Sequence, residues 1–184
     1  CLSLVGSEMC IRDRYNAHTP TKSPIKTILY TPTFRERGDG PGNHTRVLLH
    51  PEIEEIDMIE FLEAHNAKLI IRPHWITHGH HYPSDRIETI THKQEPDLHN
   101  LFEDADILVT DYSSAFIDWL ILDRPVIFSP YDLEEYTKVN GLLDDYRNLV
   151  PSPICNTPED IFLCIAEAII CLLYTSPSPR DSDT

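Results

Sequence analysis

Short runs of apolar residues alternate with longer amphipathic stretches along this chain. The strongest runs are Lys26–Tyr30, Lys68–Arg72, Ile107–Thr110 and Val126–Ser129, and a weaker one is Ile87–Thr91. Each run is short, rich in β-branched residues or leucine, and bounded by polar or proline-containing segments, so each predicts a β-strand. Because most positions of these runs are apolar, we expect strands that are buried on both faces, as in a parallel sheet.

The stretches between these runs favour helices. Ile53–His65 and Ser114–Leu122 carry apolar residues at helical spacing, and Asp97–Asp104 begins with a residue that often caps helices. Thr157 is expected to cap a last helix, with Pro158 in its first turn. The alternation of strands and helices with short links predicts an α/β fold, a Rossmann-like parallel sheet with helices on both faces.

The two ends of the chain are predicted to be foreign to it. Cys171–Asp181 can be encoded by a DNA segment whose reverse complement encodes Leu4–Asp13, so the ends resemble one sequencing adapter translated in opposite orientations. A native signal segment is the alternative at the N-terminus, but charged residues interrupt any apolar stretch there. We therefore expect residues 15–170 to form one domain, and residues 1–14 and 171–184 to be tails with little to bury.

The charge and cysteine content narrow the class of protein. A formal net charge of −15 repels polyanions, so binding of nucleic acid is not expected, and an anionic ligand would need local donors. Only Cys155 and Cys164 lie outside the predicted tails, which favours a reducing cytoplasm over a disulfide scaffold. No apolar run approaches the roughly 18 residues of a membrane span, so any membrane contact is expected to be peripheral.

The stretch Asp106–Ser114 (DILVTDYSS) carries the most informative candidate residues. A predicted strand leads into Ser113 and Ser114, which open a helix, and the carboxyl ends of parallel strands are where such sheets bind ligands. Free amides and hydroxyls at a helix N-terminus can hold an anion, although a simple capping role of Ser113 is an equal alternative. Asp118, one turn after Ser114, either accepts hydrogen bonds from ligand hydroxyls or is an ordinary surface carboxylate.

A second candidate group, Arg72-Pro73-His74, follows the next predicted strand end. Arginine suits phosphate binding, and the histidine could donate to a pyrophosphate or protonate a leaving group, while a structural role is the alternative. Three more histidines follow closely: His78, His80 and His81. Their spacing matches no closed tetrahedral pattern, so we expect a polar, pH-sensitive loop and no metal site.

The third candidate segment, Thr31–Arg35 (TPTFR), follows the first predicted strand. Pro32 stiffens the turn, Thr33 offers a hydroxyl, and Arg35 adds scarce positive charge for a possible phosphate contact. The glycine-rich stretch Arg37–Asn43 after it is typical of a mobile flap. An ordinary exit from a strand is the alternative interpretation.

Taken together, these motifs resemble a known family. ILYTPTFRERG, LIIRPH, DADILVTDYSSAFIDW, RPVIFSPYDLEEY and NTPEDI occur in the order and at the intervals of the C-terminal domain of the CDP-glycerol glycerophosphotransferases. Enzymes of this family make poly(glycerol phosphate) or related teichoic-acid chains. The resemblance covers nearly all of Ile25–Ile170. It departs at Trp75, where the family usually has a second proline after the Arg-Pro-His motif.

The resemblance implies a function for this segment. It implies the C-terminal, donor-binding half of a two-domain GT-B transferase, without metal or organic cofactor. An acceptor hydroxyl would attack the β-phosphorus of CDP-glycerol and release CMP, with His74 as the catalytic charge stabiliser or acid. The residues carried over as donor-binding are Pro32, Thr33, Arg72, Pro73, His74, Ser113, Ser114 and Asp118.

The resemblance also implies partners and a location. The acceptor would be a lipid-linked or polymeric glycerol phosphate. A missing N-terminal GT-B domain would supply the other essential histidine and any peripheral contact with the inner face of the cell membrane. The alternatives that stay open are a nucleotide-sugar GT-B glycosyltransferase or epimerase, and a nucleotide-binding fragment without catalysis.

Overall fold

A computed structural model of the chain describes residues 23–34, 48–75, 80–141, 146–151 and 154–175. Within these ranges five strands form one sheet, in which every neighbouring pair is parallel. The strands are β1 (Lys26–Thr31), β2 (Ala67–Ile71), β3 (Ile87–Thr89), β4 (Ile107–Thr110) and β5 (Val126–Phe128). The predicted parallel α/β fold is confirmed. The boundaries differ by one or two residues, since β2 starts and ends one residue early and β3 is shorter.

The helices of the described residues are α1 (Glu55–Ala64), α2 (Leu98–Asp104), α3 (Ala115–Trp119), α4 (Leu133–Asn140), α5 (Tyr146–Leu149) and α6 (Pro158–Thr175). A 3₁₀ turn at Leu120–Leu122 extends α3. Both predicted caps are present, because Asp97 accepts from the His99 amide and Thr157 accepts from the Asp160 amide. The sequence did not predict α4 and α5. α4 (LEEYTKVN) is short, largely exposed and mostly polar, and α5 is a single turn.

The strands alternate their side chains between two apolar clusters, one on each face of the sheet. In β1, Ile28 and Tyr30 belong to one cluster and Leu29 to the other. Helices α1 and α6 cover the first cluster, to which they contribute Met58 and Ile165, among others. Helices α2, α3 and α5 cover the second cluster. The prediction of helices on both faces is therefore confirmed.

The order of the strands, β3-β2-β1-β4-β5, determines where a ligand can enter. From β1 the chain moves outward through β2 to β3, and it then returns to β4 on the other side of β1. The loops that leave β1 and β4 therefore run in opposite directions, and a crevice opens between them at the carboxyl end of the sheet. Thr31 and Thr110 are paired in register at this point.

The C-terminal end departs from the prediction. Helix α6 continues to Thr175, and Leu172 packs against the same cluster as Ile165 and Ile169. The expectation that residues 171–184 are a tail with little to bury does not hold at Leu172, because helical spacing brings that residue to the buried face. Residues 1–14 and 176–184 lie outside the described residues. None of the helices described is both long and apolar enough to cross a membrane.

Replacement of Leu172 by alanine tests this packing. We expect Leu172→Ala to lower the free energy of unfolding by about 1 kcal/mol, because part of a leucine side chain loses its burial. For a chain of this size that corresponds to a fall of roughly 2–4 °C in Tm. Leu163 lies on the exposed side of the same helix and is 59% exposed. Leu163→Ala is therefore the control and should leave Tm nearly unchanged. Equal effects of the two variants in calorimetry would contradict the packing of Leu172.

Candidate functional site

A buried carboxylate joins the two loops that border the crevice. Asp111, directly after β4, is fully buried, and its Oδ1 accepts from the Thr33 amide at 2.9 Å and from the Thr33 hydroxyl at 2.7 Å. The same oxygen accepts from the Tyr112 amide at 2.6 Å. Below it, the Thr31 hydroxyl donates to Thr110 Oγ1 at 3.0 Å. The loops after β1 and β4 are thereby held in fixed relative positions.

Aromatic side chains support this junction from the side of β5. The Tyr146 hydroxyl of α5 donates to the Asp111 carbonyl at 2.6 Å, and burial together with the Asp111 charge raises the pKa of Tyr146. Tyr112 stacks on Tyr136 with ring centroids 3.8 Å apart and donates its hydroxyl hydrogen to Asp132 at 2.9 Å. The crevice therefore has a rigid wall built from the segments after β4 and β5.

Arg72 lies at the end of β2 but is occupied with protein partners. Its guanidinium donates to the Thr91 carbonyl at 2.9 Å and to the Ile90 carbonyl at 3.3 Å, and its other terminal nitrogen lies 3.2 Å from His92 Nδ1. Burial lowers the pKa of Arg72, which the charge of Glu95 partly offsets. All these contacts fix the loop after β3. A direct contact of Arg72 with a donor stays a prediction.

His74 is held beside the crevice by aromatic contacts. Its ring centroid lies 5.5 Å from that of Phe34 in the loop after β1, and 5.8 Å from that of Trp75. Its Nδ1 atom is buried without a hydrogen-bond partner in the part of the chain that the structure describes. Burial lowers the pKa of His74, so the imidazole is neutral near pH 7. Because β2 is the neighbour of β1, His74 and Thr33 follow adjacent strands at the carboxyl edge of the sheet.

Ser113 and Ser114 directly precede α3, and among the described residues their side chains make few hydrogen bonds. Ser113 is half-buried, and its hydroxyl oxygen accepts only a long hydrogen bond of 3.3 Å from the Ala115 amide. Ser114 is exposed and makes no side-chain capping bond. A simple capping role therefore accounts for little of what these hydroxyls can do. Both residues lie between β4 and α3, at the carboxyl end of the sheet.

Asp118 lies one turn further along α3, where it contacts another helix. Its Oδ2 lies 3.3 Å from His99 Nε2 in the first turn of α2, and His99 Nδ1 lies 3.0 Å from Asp97 Oδ1. Asp118 is about half-exposed. Sequence analysis identified Asp97 only as a cap and did not identify His99 at all. No periodic signal marks His99, because the contact joins two helices that are distant in sequence.

Not every predicted residue can be placed. Arg35, the possible phosphate contact, and His78 lie outside the described residues. His80 and His81 are described, and the ring of His80 packs edge-on against Tyr82 at 4.7 Å. Within the described ranges, no group of three or more His, Cys, Asp or Glu side chains could hold a metal ion. Asp111 was missed by the sequence analysis, although an acidic residue directly after a fully apolar strand is a detectable signal.

The fold and the site together define a class of protein. A Rossmann-type parallel sheet with hydroxyls, amides and an imidazole gathered at its switch point is the architecture of a nucleotide-donor-binding domain. The family model of CDP-Glycerol:Poly(glycerophosphate) glycerophosphotransferase matches residues 6–169. The chain belongs to this family.

Similar proteins agree with this assignment. The chain is 33% identical over 140 residues to the teichoic acid glycerol-phosphate primase of Bacillus subtilis (strain 168). The alignment covers 74% of this chain and 34% of the relative. The chain is 30% identical over 149 residues to a teichoic acid ribitol-phosphate primase of Bacillus spizizenii, covering 78% and 36%. The solved structure of the wall teichoic acid polymerase TagF superimposes with a TM-score of 0.62 at 25% identity, covering 93% of this chain and 44% of that one. The chain thus spans about a third of the length of these curated relatives.

Two aspartates that flank β4, Asp106 and Asp111, allow a matched test of the junction. Asp111→Ala leaves the Thr33 and Tyr112 amides without their acceptor, so we expect the free energy of unfolding to fall by roughly 2–3 kcal/mol. The control is Asp106→Ala, which removes a 2.8 Å bond to the Thr27 amide at the opposite, amino-terminal end of the same strand. Because Asp106 is more exposed, its loss should cost about 1 kcal/mol. Equal losses in the free energy of urea unfolding would show that the hydrogen bonds of Asp111 stabilise the fold no more than that of Asp106.

Proposed function

We propose that this chain is the donor-binding part of an enzyme that transfers glycerol phosphate from CDP-glycerol to an acceptor hydroxyl in teichoic-acid synthesis. Membership of the glycerophosphotransferase family supports the donor and the reaction class. The observation that carries the proposal is the convergence at the switch point. Ser113, Ser114 and His74 lie at the carboxyl ends of β4 and β2, the two strands that flank β1.

The charge of the molecule restricts how such a donor can be held. The chain carries a net charge of −15, so a pyrophosphate needs neutral donors or a local cation. In the proposed site the hydroxyls of Ser113 and Ser114 and the adjoining amides bind the phosphate oxygens. Amide and hydroxyl dipoles do this without a positive surface. Thr33 and Pro32 form the opposite wall, which Asp111 fixes in place.

The proposed reaction is a displacement at phosphorus. An acceptor oxygen attacks the β-phosphorus of CDP-glycerol, the bond from that phosphorus to the bridging oxygen breaks, and the electron pair leaves with CMP. Such a transition state requires positioning and charge stabilisation. His74 supplies the latter in its protonated form, or donates its proton to the leaving oxygen. The base that takes the acceptor's proton would belong to a second domain, as would the contact with the membrane's inner face.

Removal of both hydroxyls tests the donor site. The pair Ser113→Ala and Ser114→Ala should weaken CDP-glycerol binding by more than tenfold, because each hydroxyl is worth about 1.5–3 kcal/mol to a charged partner. The matched control is Ser23→Ala with Ser84→Ala. These serines accept local amide hydrogen bonds of the same kind, two residues ahead, but precede β1 and β3 at the amino end of the sheet.

Calorimetric titrations with CDP-glycerol, CDP-ribitol, CMP and a UDP-sugar complete this test. We expect a CDP-alditol to bind most tightly, and only the Ser113/Ser114 pair to abolish the preference. Preferential binding of the UDP-sugar would replace the proposal with a nucleotide-sugar enzyme. If all four ligands bind equally weakly to the wild type and to both double variants, the donor site is wrong.

The pH dependence of binding tests His74. Burial lowers the pKa of His74, so the imidazole gains its charge only below the ordinary histidine range. Wild-type affinity for CDP-glycerol should therefore rise as the pH falls from about 8 to 5.5, whereas His74→Gln should stay flat. The ligand is a pyrophosphate diester and does not titrate in this interval. His65→Gln, between α1 and the start of β2 at the amino end of the sheet, is the control and should follow the wild type. Parallel profiles for the wild type and His74→Gln would remove His74 from the phosphate site.

A further inference from the structure

The loop between β3 and α2 links the two motifs of the proposed donor site. At one end, Arg72 donates to the Thr91 carbonyl at 2.9 Å. At the other end, Glu95 Oε1 accepts from the Asp97 amide at 3.0 Å and from the Asn100 side chain at 3.1 Å. Both ends of the loop are thus fixed, and the second end places Asp97 at the start of α2. The position of α2 relative to the strand ends is well determined by these contacts.

His99 connects α2 to α3 through two carboxylates. Its Nδ1 lies 3.0 Å from Asp97 Oδ1, its Nε2 lies 3.3 Å from Asp118 Oδ2, and its ring packs edge-on against Phe102 at 5.4 Å. Both nitrogen contacts can be hydrogen bonds at once only when each nitrogen carries a proton, because a carboxylate accepts and does not donate. The ring plane and the direction of Nε2 are therefore set by Asp97 and Phe102.

The contact lies at the ligand end of the sheet. Helix α2 leads into β4 and α3 follows it, so both helices have their N-termini at the carboxyl end of the strands. Asp118 is one helical turn from Ser114, on the same side of α3. Its Oδ1 has no hydrogen-bond partner among the residues the structure describes, whereas Oδ2 faces His99.

A carboxylate in this position creates an electrostatic difficulty. An uncompensated charge one turn from bound phosphate would repel the donor, and a surface aspartate without a partner would occupy several rotamers. A hydrogen bond from His99 removes both difficulties, since it fixes one oxygen and withdraws charge from the carboxylate.

We propose that His99 is a positioning residue of the donor site, which holds Asp118 so that its second oxygen receives a hydroxyl of the donor. This inference rests on the proposed function, because Asp118 has a ligand to orient only if the donor lies at this end of the sheet. It adds the requirement that a residue outside the motifs of the family resemblance, on a different helix, controls the affinity for the hydroxyl-bearing part of the donor.

A double-mutant cycle in the 184-residue chain tests the proposal, with CDP-glycerol affinity as the readout. His99→Leu should weaken binding roughly threefold to tenfold, the equivalent of one net hydrogen bond. In the Asp118→Ala background the same change should have no further effect, because no carboxylate remains to be positioned. His99→Gln should bind more tightly than His99→Leu, since its amide can still donate to Asp118. A purely structural role of His99 would affect binding equally in both backgrounds.

Two controls separate the outcomes. His65→Leu makes the same chemical change on the opposite face of the sheet, where the ring packs on Phe61, and should leave affinity unchanged. If His99→Leu fails to fold, judged by its thermal transition, His99→Glu replaces it in the cycle and should weaken binding more than His99→Gln by repelling Asp118.

The results distinguish this inference from the proposed function. Wild-type binding of CDP-glycerol with an unchanged affinity in His99→Leu, or with additive losses in the cycle, overturns the role of His99 alone. A wild-type chain that binds no CDP-alditol overturns the proposed function, and the role of His99 falls with it. Loss confined to CDP-glycerol assigns the hydroxyl to glycerol, and an equal loss for CMP assigns it to the ribose; either supports the positioning role.

Discussion

The carboxylate of Asp111 is the interaction on which the architecture of the site depends. Parallel pairing brings the ends of β1 and β4 side by side, but the loops that follow them diverge. Asp111 joins these loops by accepting three short hydrogen bonds from Thr33 and Tyr112. Tyr146, which belongs to the second apolar cluster, donates a further hydrogen bond to the backbone carbonyl of Asp111. A crevice that would otherwise vary in width therefore has fixed walls. A phosphate site made of amides and hydroxyls needs such rigidity, since each donor is weak and acts only at short range.

The acidity of the chain and its proposed anionic ligand are compatible for the same reason. A basic cleft would bind any polyanion, whereas oriented dipoles within an acidic surface bind phosphate only where the geometry is correct. Arg72, a strong cation among the described residues at this end of the sheet, is directed to the carbonyls of the loop after β3. Burial lowers the pKa of His74, so this residue adds little positive charge at neutral pH.

Much of the fold could be predicted from sequence because the physical signals are local. Apolar runs such as Ile107–Thr110 marked all five strands, and Thr157 marked the start of the last helix. Helix α4 was not predicted, since it is short, mostly polar and buries little. Leu172 was misjudged because the composition of the segment suggested a tail, whereas the helix in front of it determined its environment.

In the candidate site, too, residues with a local sequence signal could be predicted and residues defined by tertiary contacts could not. Ser113, Ser114 and His74 were identified as candidates because each follows a strand, and strand ends can be predicted. The contact of His99 with Asp118 and the hydrogen bonds of Arg72 to the loop after β3 could not be predicted, because they depend on which helices and loops are neighbours in space. Contacts of that kind have no sequence period. The resemblance to a family suggested the proposed donor, and the structure shows the side chains that contact the candidate residues.

The central claim is that the donor binds at the carboxyl end of the sheet, between the loops after β1 and β4. The most direct test is a two-dimensional NMR titration of the amide signals with CDP-glycerol. The account predicts that shifts concentrate at Thr33, His74 and the Ser113–Ala115 amides, while Thr27 and Asp106 at the other end of the same strands do not move. Shifts centred on the amino end of the sheet, or none at saturating donor, would contradict it.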